Sequence, residues 1–297
     1  MYKRQENPPS ESRDEILQRI EEINEGKSKR DKNRAAKLKA EDWFFDMEDE
    51  LPSTWLQANF MDVTWLITCG VAKKPDYVSE GVPFLSGQNA KPFKTNFKDI
   101  RYITEQDFKT FTVGGKPEPN DILYSRVGSY GEAAKIEFDF DFGIYVSLTL
   151  IKPIHEVIDV DYLVGYLNSP LGLMQANGGI CGSGIQNLNV GNVRKYRIPI
   201  PPLNEQRRIA EITREVVEMT DSMTMQVATL EAELTQLDQS ILAKAFRGEL
   251  VPQDPGDEPA SQLLHRIRAT REKLEAEKKA AKKKSKKKAT RKKNSKV

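Results

Sequence analysis

The sequence predicts an α+β protein: one mixed domain, then a long coiled-coil-forming helix, then a disordered basic tail. Three observations carry this reading. Short apolar or alternating runs separated by Gly and Pro fill residues 51–202, apolar residues recur at three-and-four spacing from 209 to 241, and residues 278–297 hold Lys or Arg at 12 positions with no acid. With 38% apolar and 30% charged residues, the 297-residue chain can enclose one sizeable core, and a mean hydropathy of -0.60 requires that much of the rest be solvated.

Taken in order, residues 1–50 read as a charged N-terminal helical segment, with a helix over 11–40 around Ile16, Leu17, Ile20 and Ile23, interrupted at Gly26. Ahead of it lies Asn7-Pro8-Pro9-Ser10, similar to the Asn-Pro-Pro-aromatic motif that holds the target amine in amino-methyltransferases. Ser10 replaces the aromatic and no strand precedes it, so no catalytic role is assigned. Residues 51–202 form the domain, with strands expected at 82–85, 122–125, 133–138, 144–151 and 196–200, and helical turns at 162–168 and 171–176.

Residues 203–250 are the long helix. Its apolar seam is Ile209, Ile212, Val216, Met219 and Met223, then Val227, Leu230, Leu234, Leu237 and Ile241. A four-residue slip between Met223 and Val227 is a stutter that keeps the stripe continuous. Asn204, after Pro201 and Pro202, is the expected N-cap; Phe246 is the expected end and Gly248 the stop signal. Such a helix measures roughly 60 Å at 1.5 Å per residue. Few domains of this size are wide enough to cover that stripe, so a partner helix is expected.

A C-terminal extension, 251–277, links the helix to the Lys-rich tail, 278–297, which like-charge repulsion should keep disordered. Leu263-Leu264-His265-Arg266-Ile267 repeats Ile16-Leu17-Gln18-Arg19-Ile20 in kind, which hints at one period of a tandem pattern.

The net charge of +2 hides a division. Twelve of the 46 basic residues lie in the tail, leaving the rest of the chain with ten more acidic than basic side chains, while residues 51–202 hold 14 basic and 15 acidic ones. Any nucleic-acid surface in the domain must therefore be local. No apolar run spans a bilayer and no signal-peptide pattern opens the chain, so no membrane partner and a cytoplasmic location are expected. Cys69, Cys181, His155 and His265 form no metal spacing, and both cysteines are expected to pack. With no G-x-x-x-x-G-K-[ST] loop and no H-E-x-x-H, neither a catalytic nor a metal site is assigned.

The motifs GVPFLSGQN, DILYSRVGSYGEAAKI, YLNSPLG, GSGIQNLNVGNVRKYRIPIPPL, IPIPPLNEQRRIAEI and LDQSILAKAFRGELVPQDPGDEPASQLLHRI occur in that order. Together they make the chain resemble the specificity subunits of type I restriction-modification systems over about residues 51–275. The resemblance implies a noncatalytic subunit whose 51–202 segment is a target-recognition domain for double-stranded DNA, and whose helix spaces such domains and docks methyltransferase subunits. It further implies that S-adenosylmethionine, ATP and Mg belong to modification and restriction subunits, with no cofactor bound by this chain. Members of the family generally carry two recognition domains and two antiparallel long helices; one of each here implies a half-length form, completed by an identical or different second chain. A coiled-coil scaffold or protein-binding adaptor is the alternative reading.

With that implication, several residues become candidates for DNA contact. Ser86, Gln88 and Asn89 end a strand, where amides can pair with adenine, or where Gly87 and Asn89 can simply form a turn. Arg126, beside Gly128 and Gly131, suits a guanine or a phosphate, or else braces the turn. Tyr130 can stack, reach a phosphate, or pack. Gln186, Asn187 and Arg194 sit in a Gly-rich loop that suits a groove, while Asn189 and Asn192 suit capping. Lys73 and Lys74 are phosphate candidates or a solvated loop.

Overall fold

The computed structural model describes residues 11–39, 47–181, 186–252 and 254–293, in two compact units, 1–220 and 221–297. In the first unit, helices α1 (Arg13–Glu25) and α2 (Lys29–Lys39) precede strands β1 (Leu56–Asn59) and β2 (Thr64–Cys69). Next come β3 (Val82–Leu85), a 3-10 turn at Gly87–Asn89, the hairpin β4 (Ala90–Lys91) and β5 (Lys94–Thr95), β6 (Arg101–Ile103) and helix α3 (Glu105–Phe111). Strands β7 (Ile122–Ser125), β8 (Ala133–Lys135), β9 (Gly143–Ile144) and β10 (Leu148–Pro153) lead to helices α4 (Val160–Asn168) and α5 (Pro170–Gly178). The pair β11 (Ile180–Cys181) and β12 (Asn187–Leu188), helix α6 (Val190–Val193) and strand β13 (Arg197–Ile200) complete the domain.

Antiparallel strands in the order β2-β10-β7-β8 form the main sheet, and β6-β3-β9 a second, with β3 and β9 parallel. β7 and most of β10 are buried on both faces, which is why they read as unbroken apolar runs. The single strand expected over 144–151 is divided at Tyr145–Ser147, where the chain changes partners. Tyr145 donates its N–H to Leu85 O (2.8 Å), Val146 to Val71 O (2.9 Å), and Ser147 O accepts from Arg126 N (3.0 Å). The strand expected over 133–138 ends at Lys135.

β1 and β13 pair although Leu56 and its opposite, Ile200, lie 144 positions apart in the chain. The backbone of β13 is also held by side chains of α4 and α5: Tyr162 Oη donates to Pro199 O (2.8 Å), Tyr166 Oη to Arg197 O (3.0 Å), and the Gln175 amide brackets Arg197 N and O. Burial pushes both phenols well above the ordinary tyrosine range, so they remain donors.

The core extends outside 51–202. Helix α1, opened by a Ser12–Glu15 capping box, buries Ile16 and Ile20 in it. Two apolar residues one turn apart suffice to dock a helix whose composition is otherwise charged. Their counterparts in the repeat, Leu263 and Ile267, are exposed in the second unit.

Helix α7 (Leu203–Phe246) places Asn204, the expected N-cap, inside its first turn, because Pro202 O accepts from the N–H groups of Glu205 and Gln206. Its first turns pack on the domain: Gln206 and Ala210 are buried, and Ile209, expected in the pairing seam, is half-buried against the core. In the second unit, Gly248 (φ 72°) ends α7, with Glu249 N bonded to Lys244 O and Gly248 N to Ala245 O. Helix α8 (Ala260–Lys293) follows.

Candidate nucleic-acid interface

Four segments distant in sequence meet at the end of the main sheet. The turn after β3 is fastened by Gly87 N donating to Ser147 Oγ (2.8 Å), and Ser147 O in turn holds Arg126 N. Arg126 extends the junction. Its Nε donates to Leu188 O (2.9 Å), one terminal nitrogen to Val146 O (3.2 Å) and the other to Asn187 Oδ1 (3.1 Å), while Leu188 N donates to Arg126 O (2.9 Å). A buried guanidinium is tolerated here because its donors meet oxygens. Arg126 is thus the brace of the site, not a base-reading or phosphate-binding group at its surface.

Asn89 also belongs to the framework. It is 1% exposed; its Oδ1 accepts from Ser86 N (2.9 Å), and its Nδ2 donates to Asn96 O (2.9 Å) and Lys98 O (3.3 Å). The amide expected to face adenine instead ties the β3 turn to the segment after β5. Ser86 is half-buried in the same turn, with its hydroxyl 3.3 Å from Asn89 Oδ1. Tyr130 donates from Oη to Asn177 Oδ1 (2.7 Å) and packs on the core, turned toward α5. Arg194 donates through Nε (3.1 Å) and a terminal nitrogen (2.6 Å) to Ile67 O, capping the edge strand β2. Burial and then the neighbouring Arg34 and Arg30 hold its pKa below the ordinary arginine range. Asn189 caps α6 through Gly191 N (2.7 Å), its expected role, whereas Asn192, inside α6, donates to Gly179 O (2.7 Å) and ties α6 to the end of α5 rather than capping or turning.

The exposed side chains at this junction are Gln88, Gln186 and Asn187. Asn187 presents its NH2 group outward, since its oxygen is held by Arg126. The expected Gly-rich loop is described only at its edges, because 182–185 lie outside the described residues, as does Asn7-Pro8-Pro9-Ser10. Lys73 and Lys74 are exposed just after Val71, which bridges Tyr145, and so border the same junction. Between Gln88 and the second sheet is a cavity of about 290 Å³, lined by Tyr77, Ser86, Gln88, Asp99, Arg101 and Ser147 among others. Arg101 lies over the Tyr77 ring at 4.6 Å. Arg101 and Tyr77 carry no signal in the sequence, because each is an isolated residue that only the tertiary fold brings beside Gln88.

The surface thus offers amide donors and acceptors, one stacked guanidinium and flanking lysines on a braced frame. Among the described residues no group of three or more His, Cys, Asp or Glu is placed to hold a metal ion, and no helix is long and apolar enough to cross a membrane. Cys69 is exposed on β2, contrary to the expectation that it packs; the Cys181 side chain lies outside the described ones.

Comparison with known proteins places residues 72–232 on the family model described as the type I restriction modification DNA specificity domain. The Type I restriction enzyme EcoBI specificity subunit of Escherichia coli is 27% identical over 74% of this chain and 49% of its own length. The EcoKI specificity subunit of Escherichia coli (strain K12) is 26% identical over 74% and 50%. The chain spans about half the length of these curated relatives. A chain of a type I R-M system, solved in work on complex assembly and conformational transition, shares the fold with a TM-score of 0.53 at 21% identity, over 80% of this chain and 58% of that one.

Proposed function

This chain belongs to the family of type I restriction modification DNA specificity domains, and on that premise we propose that it is a noncatalytic subunit that reads one half of a two-part, gapped site in double-stranded DNA. The observation that carries the reading is the junction braced by Arg126, which sets Gln88, Gln186 and Asn187 at one end of the sheet, beside the cavity holding Arg101. Exposed amides and arginine on a rigid frame suit base-edge hydrogen bonding in the major groove, and Lys73 and Lys74 suit phosphates.

Helix α7 supplies the second part of the proposal. Ile212, Val216, Met219, Met223, Val227, Leu230, Leu234, Leu237 and Ile241 are all 41–61% exposed, a stripe that a second long helix would cover. Pairing there brings in the recognition domain for the other half-site, from an identical or a different chain, and provides the face on which modification subunits dock. In this scheme S-adenosylmethionine and adenine methylation belong to the modification subunits, and ATP and Mg to a restriction subunit. The test is to copurify the tagged chain with its native partners and map methylated adenines genome-wide. A gapped motif that changes in Gln88→Ala is the expected result; a chain that copurifies with partners but directs no methylation and binds no DNA would favour the scaffold reading.

A further inference from the structure

Helix α2 concentrates positive charge outside the segment matched by the family. Its sequence, KRDKNRAAKLK, sets Lys29, Arg30, Lys32, Arg34, Lys37 and Lys39 against the single acid Asp31, in a protein whose central domain is close to neutral. Burial divides the helix into two faces. Asp31, Arg34 and Ala35 are half-buried, with Ala35 packed on the core, whereas Lys29, Arg30, Lys32, Asn33, Ala36 and Lys37 are exposed. Asp31 is engaged at the helix start, where its carboxylate accepts from Ser28 Oγ at 2.5 Å.

The helix is held beside β2. Lys27, just before it, donates from Nζ to Met61 O (2.6 Å) and Thr64 O (2.9 Å), and Arg194 caps Ile67 O farther along the same strand. Arg194 lies near this helix: after burial, Arg34 and Arg30 lower its pKa, while Cys69 and Asp31 raise it. The outward face holds cations, an amide and one methyl group, so it has little to bury against an apolar partner and much to offer a polyanion.

We propose that the outward face of α2, through Lys29, Arg30 and Lys37, binds the phosphate backbone of duplex DNA as a sequence-independent clamp. The inference rests on the DNA-reading function proposed above. Lys29 and Lys37 are about 12 Å apart along the helix axis at 1.5 Å per residue. That axial distance spans about three phosphates of one strand at 3.4 Å each.

The test compares the full-length chain with its K29Q/R30Q/K37Q variant for binding to a mixed-sequence duplex between 50 and 200 mM salt. All three side chains are exposed, so the variant should keep the thermal unfolding midpoint of the parent. If the clamp exists, the slope of log K against log salt becomes shallower by about 2 to 3, near 0.9 per lost phosphate contact. An unchanged slope overturns the inference and leaves the DNA-reading function intact; so does an unchanged slope with loss of copurifying subunits, which would make α2 a protein-docking helix. A parent chain that binds no duplex in isolation or with its partners overturns both.

Discussion

Arg126 and Asn187, 61 positions apart, are joined by a 3.1 Å hydrogen bond from guanidinium to side-chain amide oxygen, and this bond makes one surface of two loops. The same guanidinium holds the carbonyls of Leu188 and Val146. Removing it strands buried acceptors, so Arg126→Ala should lower stability by about 2–4 kcal/mol, in the range for lost charge-assisted bonds with unpaired partners. Exposed Gln88 should behave oppositely: Gln88→Ala should stay within about 0.5 kcal/mol of the parent in urea unfolding. Equal costs for the two substitutions would mean that brace and surface have been wrongly assigned.

Gln206 roots helix α7 in the domain. Its amide donates to Val157 O (3.0 Å) and Pro201 O (2.8 Å) and accepts from Asp159 N (2.8 Å), fully buried. Gln206→Glu keeps an acceptor for Asp159 N but loses both donations, so it should cost about 2–3 kcal/mol in denaturant unfolding at pH 7. Gln206→Leu preserves bulk but strands all three backbone groups, and should cost at least as much. A neutral Gln206→Leu would show that packing alone roots the helix.

The α7 stripe makes a different demand. Leu230 and Leu237 are 57% and 53% exposed, so Leu230→Asp with Leu237→Asp should leave the domain's unfolding unchanged while abolishing assembly with a second helix, since pairing would bury unpaired carboxylates. Sedimentation of the parent at micromolar concentration should show a dimer if the second helix comes from an identical chain. A parent that remains monomeric, and copurifies with no other long-helix chain, would rule out pairing through this face.

The long helix was legible because a three-and-four repeat over 209–241 needs only local sequence, and Gly248 announces its end. The strands at 82–85 and 122–125 were legible for a similar reason, as short apolar runs between turn residues. Pairing of β1 with β13 was not, since Leu56 and Ile200 meet only through the tertiary fold. Side-chain direction was the other limit. Nothing in GVPFLSGQN distinguishes Gln88, which is exposed, from Asn89, which is 1% exposed and ties its own turn to the segment after β5. Arg126 was ambiguous in the same way: beside Gly128 and Gly131, whose φ values of 80° and 86° make the turn, an arginine can brace or bind, and its burial decides for bracing.

On the proposed function, the recognised site should be two short sequences separated by unread base pairs. Two recognition domains related by a two-fold axis present the same surface twice, so an identical pair should read inverted half-sites and a mixed pair asymmetric ones. A helix of roughly 60 Å exceeds one B-DNA turn of about 34–36 Å, which leaves room for a gap. Within each half-site, Gln88→Ala, Arg101→Ala, Gln186→Ala and Asn187→Ala should each relax the motif at one or two positions, with about 1–3 kcal/mol of discrimination lost per good bidentate contact. Asn89→Ala and Arg126→Ala should instead lower the extent of methylation through instability, without changing the sequence methylated. Methylome sequencing of cells expressing each variant with its partner subunits separates these outcomes. An ungapped motif would reject spacing by the helix, and an unchanged motif in all four surface variants would place the reading surface elsewhere on the domain.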